Sequence, residues 1–322
     1  MVFVQERKTK GAVYLYLEKS IRIGKSVFKL SRYMGRKEDI TKDILKKEKK
    51  AFVLDVNKNA VDFLAKQIEK KYVIHYPLNR EAIHSLEEMN LKYREIKHTV
   101  SKNDWEDIKK RFVANFVFES NALEGNSLTL KNFSEIVFEN KISSSADLRE
   151  VYDAKNSYRV FSKLLTAKKE MSESFILDLH KQIVKNIDAR TGYKKLPNII
   201  LGRKISLVQP KDVPDEIRKL LQWYNSNKDR IYPLELAFRF HHRFERIHPF
   251  ADGNGRVGRM LLNYILIKHR YYPVIIRKTY RNKYLKTLEA ADHEQYIPLM
   301  RFALEKAKET YAKFFEVYYN YI

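Results

Sequence analysis

The sequence contains no cysteine, and it is sparing with glycine and proline, at nine and eight in 322 residues. Without cysteine there is no disulfide framework, thiolate metal site or cysteine nucleophile. Few chain breakers and no low-complexity tract point to a continuous ordered structure with short connections. Long apolar runs are missing too. None approaches the ~18–20 residues that cross a bilayer, and the opening MVFVQERKTKG lacks the apolar stretch of a secretory leader. The expected protein is soluble and cytoplasmic, with no membrane partner. Apolar residues supply 44% of the chain, enough at this length for one large or two modest cores.

Charge is plentiful and lopsided, at +23 from 63 basic and 40 acidic residues. Residues 1–50 hold 15 Lys and Arg against 6 Asp and Glu, whereas residues 51–100 hold 8 against 7. A basic N-terminal region invites an anionic partner such as nucleic acid. The remaining excess is spread over the rest of the chain, as on a lysine-rich solvated surface, so a nucleic-acid partner is not the favoured reading.

Two architectures follow one another. Residues 1–35 read as strands: VYLYLEKSIRI and KSVFKLSRYM are rich in β-branched and aromatic residues, Gly24 marks a hairpin turn between them, and VFVQER can pair alongside. From about residue 38 the spacing becomes helical, with Val61, Leu64, Ala65 and Ile68 on one face, and a second helix spans about 79–99. After Ser101 helices are expected near 103–122, 129–140, 145–169, 172–187, 213–228, 233–247, 255–270, 280–291 and 293–318. A short β-hairpin interrupts them at 198–208, around Gly202 and between Pro197 and Pro210. The fold class is mainly α, with an N-terminal accessory region over 1–100 and a helical domain over 101–322.

The stretch HPFADGNGRVGR, His248 to Arg259, carries the chemistry. It lies between two apolar helical segments, so Gly253, Asn254 and Gly255 sit where a helix begins. Glycines there let the backbone approach a ligand, and the exposed N–H groups and helix dipole favour an anion. Asp252 is a hard oxygen donor suited to Mg²⁺. Arg256 and Arg259, three apart, can fork onto phosphate oxygens. His248, at the preceding helix's exit, suits a general base. Base, metal ligand, anion cradle and phosphate clamps are the parts of a nucleotide-dependent transferase.

HPFADGNGRVGR resembles the signature of the Fic family, His-Pro-Phe-x-(Asp/Glu)-Gly-Asn-Gly-Arg-x-x-Arg, with every fixed position filled. GYKKLPNIILG (192–202) resembles the family's target-positioning flap, and YYPVIIRKTYRNKYLKTLEAAD (271–292) the segment closing its nucleotide pocket. About residues 105–318 share the likeness; residues 1–100 do not. The resemblance implies a Fic-type helical domain with a β-hairpin flap and protein adenylyltransferase activity, moving AMP from ATP to a Tyr, Thr or Ser hydroxyl of a target protein or of the enzyme itself. It makes His248 the base and Asp252 the Mg²⁺ ligand. Gly253, Asn254 and Gly255 become the anion hole, Arg256 and Arg259 the β- and γ-phosphate ligands, and Ile199, Ile200 and Leu201 the flap strand that aligns the target. Asp292 stands where many relatives have an adenine-binding Asn, and Lys195 where the flap often has Arg; both leave nucleotide preference open.

A second stretch, SNALEGNSLTL, reads on its own as a helix C-terminus closed by Gly125 and Asn126, followed by a Ser127 or Thr129 cap. A glutamate in a last helical turn is misplaced against the dipole and wants another partner. The stretch resembles the inhibitory helix of self-regulating Fic proteins, with Ser120, Glu124 and Gly125 in place. That implies an N-terminal inhibitory helix near 104–124 and a Glu124–Arg259 pair in the γ-phosphate region. The alternatives are a Fic hydrolase running in reverse to remove AMP, transfer of another group, or a nucleic-acid-binding regulator using the basic N-terminal region. A homodimer is compatible with the sequence.

Overall fold

The computed structural model describes residues 2–9, 11–23, 26–143, 146–198 and 207–322. The chain folds into two compact units: one comprises Met1–Lys71, Leu78–Val100 and Phe315–Ile322, the other Tyr72–Pro77 and Ser101–Phe314.

In the first unit β1 (Phe3–Thr9), β2 (Ala12–Ile23) and β3 (Ser26–Arg36) form an antiparallel meander in that order. The expected third strand pairs with the second, Phe3 opposite Glu18 and Thr9 opposite Ala12. Gly24, read as the hairpin turn, lies outside the described residues. Strand alternation sends Leu15 and Leu17 to one face, where Leu17 packs with Phe52 and Val56 of α1 (Lys42–Lys71). The helical spacing around residue 61 is realised as Ala60, Val61 and Leu64 of α1 against Leu91 of α2 (Arg80–Thr99). Asn79 starts α2 by accepting the Ala82 N–H at 2.9 Å. A short terminal helix, α12 (Glu316–Tyr321), belongs to this unit, and the Phe315 ring before it meets Tyr93 edge-on at 4.8 Å.

The second unit is helical: α3 (Lys102–Leu123), α4 (Leu130–Phe138), α5 (Leu148–Leu164), α6 (Glu173–Ile183), α7 (Val213–Asn227), α8 (Pro233–Ile247), α9 (Asn254–Lys268), α10 (Arg281–Asp292) and α11 (Tyr296–Thr310). The starts of α3, α4, α5 and α6 follow from their side-chain caps, Ser101, Thr129, Asp147 and Ser172. The centre is the α8–α9 pair. Every residue from Asn254 to Leu266 is buried, as is most of α8, so both helices lie within the core rather than on it. Around them Phe116 of α3 stacks on Phe161 of α5 at 3.9 Å. The expected hairpin at 198–208 falls largely on residues outside the described ones, Ile199, Ile200 and Leu201 among them. Among the described residues no helix is long and apolar enough to cross a membrane.

Removing apolar bulk from the sheet's buried face exposes how far the first unit depends on it. Leu17→Ala should cost about 2–5 kcal/mol of unfolding free energy, read by urea denaturation; an unchanged midpoint and slope would show that α1 is not held by this face.

Candidate functional site

The functional loop is built where α8 stops and α9 starts. His248 ends α8 in a left-handed conformation (φ 50°) while its N–H still bonds to the Phe244 carbonyl at 2.9 Å. Gly253 (φ 81°) precedes α9. Only glycine adopts that angle without strain, and a Cβ there would also press on Val184 at 3.2 Å. Within the loop the Asn254 side chain closes a reciprocal pair with Phe250: its Oδ1 accepts the Phe250 N–H and its Nδ2 donates to the Phe250 carbonyl, each at 2.8 Å. The Asn254 amide is thus committed to shaping the loop. What this residue can offer an anion is its backbone N–H, alongside the other first-turn N–H groups of α9, which have no partner within a helix.

Beneath the loop Phe250 is fully buried and stacks on His180 of α6 at 3.7 Å. His180 Nε2 donates to the Asp252 carbonyl at 3.1 Å. Burial lowers the His180 pKa, so the neutral ring is the form that supports the loop. A second brace comes from residues 193–198. The Lys194 N–H donates to the Pro249 carbonyl at 2.8 Å, its ammonium reaches the Ile247 carbonyl at 3.4 Å, and Asn198 donates to the Phe250 carbonyl at 2.7 Å. The buried cation of this segment is therefore Lys194, with its pKa lowered by desolvation, whereas sequence reasoning singled out Lys195. His180 does leave a trace in the sequence: it continues the apolar face of Ile176, Leu179 and Ile183.

The loop's charged groups are already engaged. Asp252, 27% exposed, accepts from Arg149 of α5 at 2.6 Å, from the Gly253 N–H at 2.6 Å and from Arg256 at 3.3 Å. Arg256, almost fully buried, pairs with Asp153 of α5. Desolvation lowers its pKa to about 10, still high enough to keep it charged at neutral pH. Arg149 and Asp153 were missed in the sequence, since an i, i+4 pair of opposite charges on a helix ordinarily marks a solvated face.

Arg259 lies one turn further along α9 and is only 3% exposed. Its Nη1 meets Glu124 Oε1 at 2.8 Å, its Nε donates to Ser120 Oγ at 2.9 Å, and its Nη2 donates to the Ser120 carbonyl at 2.9 Å. Glu124 caps α3 and is itself 43% exposed, one side on the guanidinium and the other towards solvent. A Cβ at Gly255 would collide with this carboxylate, so the glycine that opens the cradle also lets Glu124 lie across it. Burial works to raise the Glu124 pKa, but the charge and hydrogen bond of Arg259, with the charges of Arg256 and His248, outweigh it and leave the net value lowered. The turn is fixed from outside as well: Arg281 donates to the Leu123 carbonyl at 3.0 Å, and Gly125 takes the positive φ (100°) that ends the helix.

The fold therefore brings Ser120, Glu124, Gly255 and Arg259 together, with Asp252 and Arg256 beside them. His248 Nδ1 stands 3.8 Å from the Glu245 carboxylate. Asp292 is placed differently: it is buried at the end of α10 and accepts from His242 of α8 at 2.9 Å.

Residues 170–266 match the model of the Fic/DOC family. A probable protein adenylyltransferase of Aquifex aeolicus is 39% identical over 140 residues, 43% of each chain. The protein adenylyltransferase Fic of Drosophila virilis is 25% identical over 260 residues, 79% of this chain and 51% of that one. The chain spans about half the length of the curated relatives it matches. A Fic-domain-containing signalling protein from Bacteroides thetaiotaomicron superposes with a TM-score of 0.65 at 25% identity, covering 70% of this chain and 94% of that one. A Fic protein from C. elegans superposes with a TM-score of 0.62 at 24% identity, covering 72% and 70%.

Ser120→Ala removes the hydroxyl partner of a buried guanidinium. It should lower stability by about 1–3 kcal/mol, seen as a depressed Tm; an unchanged Tm would show that Glu124 and the Ser120 carbonyl satisfy Arg259 without the hydroxyl.

Proposed function

We propose that the chain, whose residues 170–266 match the Fic/DOC family model, is a self-restrained protein adenylyltransferase, moving AMP from ATP to a hydroxyl of a target protein or of itself. The observation that carries the reading is the 2.8 Å pair between Glu124, at the end of α3, and Arg259, above a glycine loop that begins with a histidine. The relatives named as protein adenylyltransferases supply the reaction class.

In this reading His248 takes the proton of the attacking hydroxyl. The nearby Glu245 carboxylate favours a proton on Nδ1, which leaves Nε2 as the base. The hydroxyl oxygen bonds to the α-phosphorus as the bond to the departing pyrophosphate breaks. The first-turn N–H groups of α9 face the charge that develops on the phosphate, in a cradle that needs no rearrangement at that moment. Asp252 fits a divalent cation: it is a partly exposed carboxylate at the cradle's rim, and Mg²⁺ held largely by phosphate oxygens needs only one or two such groups. Mg²⁺ bound there would neutralise phosphate charge; Arg149, its partner in this state, would have to yield. Ile199, Ile200 and Leu201 would align the target by strand addition, and Asp292 would accept from the amino group of the adenine.

Glu124 supplies the restraint. While it holds Arg259, that guanidinium is withheld from the γ-phosphate, and ATP settles with its α-phosphorus out of line. A misplacement of about 1 Å can cost on the order of 10²-fold.

Glu124→Gly should raise AMP incorporation, measured by mass spectrometry of a 5′-AMP adduct, by about tenfold or more. Gly125 already ends the helix, so the fold tolerates the change. Arg259→Ala should stay poorly active because the clamp goes with the brake. His248→Ala should abolish transfer while ATP affinity changes little. Equal rates for wild type and Glu124→Gly, both folded and saturated with ATP, would sink the restraint; release of AMP from a pre-modified target without forward transfer would reverse the proposed direction.

The ratio of Glu124→Gly to wild-type activity should not vary between about pH 6 and 8. The Glu124 pKa is lowered from its ordinary 4.5, so the pair is fully present above that value and is lost only as pH falls through the lowered one. A ratio that collapses near neutrality would mean that another group sets the restraint.

A further inference from the structure

One face of the N-terminal sheet is buried against α1; the other presents aromatic rings and cations that the proposed transferase does not use. Across the three strands Gln5, Tyr16 and Tyr33 form one row, and Arg7, Tyr14 and Arg36 the next. The second row depends on a β-bulge. Tyr14 pairs with Arg36 and Tyr16 with Tyr33, so one extra residue of β3 is absorbed and Arg36 and Tyr33 share a face that strict alternation would have split. The Tyr33 ring lies 5.3 Å from that of Tyr16 and 6.0 Å from that of Tyr14, and Arg7 covers Tyr16 at 4.3 Å. Tyr33 is 56% exposed, and Phe3, on β1, is 60% exposed.

The charges on this face are arranged rather than scattered. Glu18, largely buried, holds Arg7 and Lys29 at 2.7 Å each, while about half of each cation's side chain stays in solvent. One carboxylate thus positions two cations on opposite sides of it and leaves a net positive surface, with Arg36 beyond. This sits within a strongly basic segment of the chain, 15 basic against 6 acidic residues over 1–50. Exposed serines at 20 and 31 and Gln5 add neutral hydrogen-bonding groups between the rings and the cations.

From this pattern we infer that the outer face of the β1–β3 sheet binds single-stranded RNA. Adjacent tyrosines on a sheet offer platforms for successive unpaired bases, cations at both margins take the phosphates, and hydroxyl and amide side chains can meet the 2′-OH that separates RNA from DNA. A duplex, with its bases stacked inward, gives the rings nothing to hold.

The test uses the full chain and a fluorescein-labelled oligouridylate of roughly ten nucleotides, followed by fluorescence anisotropy. Binding is expected at about 50 mM salt, weakening steeply towards about 200 mM. Tyr33→Ala should bind roughly tenfold more weakly, with Tyr33→Phe, which keeps the ring, close to wild type. Tyr33 is exposed, and equal Tm values for the two variants confirm that folding is not what changed. No retention of oligouridylate at about 50 mM salt overturns the inference, as does a Tyr33→Ala variant that binds like wild type. Equal affinity for oligothymidylate, or for duplex RNA, overturns the assignment to single-stranded RNA. A self-associated chain that Tyr33→Ala dissolves, with no RNA bound, assigns the face to a second copy instead.

Discussion

A guanidinium almost sealed from water must be neutralised and bonded, and Arg259 meets both demands chiefly through the end of α3. Desolvation opposes its charge, and the Glu124 carboxylate, with lesser contributions from Tyr284 and Glu245, offsets that penalty, so its pKa is held raised. Ser120 takes two of the remaining N–H groups. Much else follows from satisfying this one cation. Residue 255 must lack a side chain so that the carboxylate can lie across the start of α9, α3 must end at a left-handed glycine, and Arg281 must tie the last helical carbonyl. Under the proposed function, restraint and stability would draw on the same atoms. Any ligand that claims Arg259 has to supply a comparable negative charge, which a triphosphate's terminal oxygens do.

The loop below shows a complementary principle. Its side chains are spent on shape: Asn254 bonds back to Phe250, Phe250 stacks on His180, and Lys194 and Asn198 hold neighbouring carbonyls. What remains for an anion is backbone, rigid and already oriented. A cradle of this kind favours charge that appears at a fixed place over charge that wanders.

The loop itself was legible in sequence because its parts are local: glycines at a helix start, a histidine at a helix exit and two arginines one turn apart. The helices of the second unit were legible for the same reason, their periodicity and caps being short-range signals. The Glu124–Arg259 pair was expected by resemblance; the other contacts that organise the site were not legible. His180, Lys194, Arg149 and Asp153 act across dozens of residues of chain, and each looks ordinary in its own helix or loop. Asp292 shows the limit most clearly. Its position along the chain suggested a ligand to the nucleotide's base; that its carboxylate is also bound to His242 shows only in the packing of α10 on α8. The bulge in β3 was invisible too, since one absorbed residue alters no composition and breaks no apolar run.

The two units are interleaved along the chain, and this governs the order in which the protein can be made. The first unit is not finished when its sheet and first two helices have left the ribosome. It still lacks Phe315, whose ring meets Tyr93, and the helix carrying Tyr319, over which Lys92 sits at 5.4 Å. The second unit, apart from the short stretch Tyr72–Pro77, is synthesised in between. The sheet and α1 therefore emerge before the second unit and are completed only after it, so during translation they must persist as a partial structure until Phe315 and Tyr319 arrive.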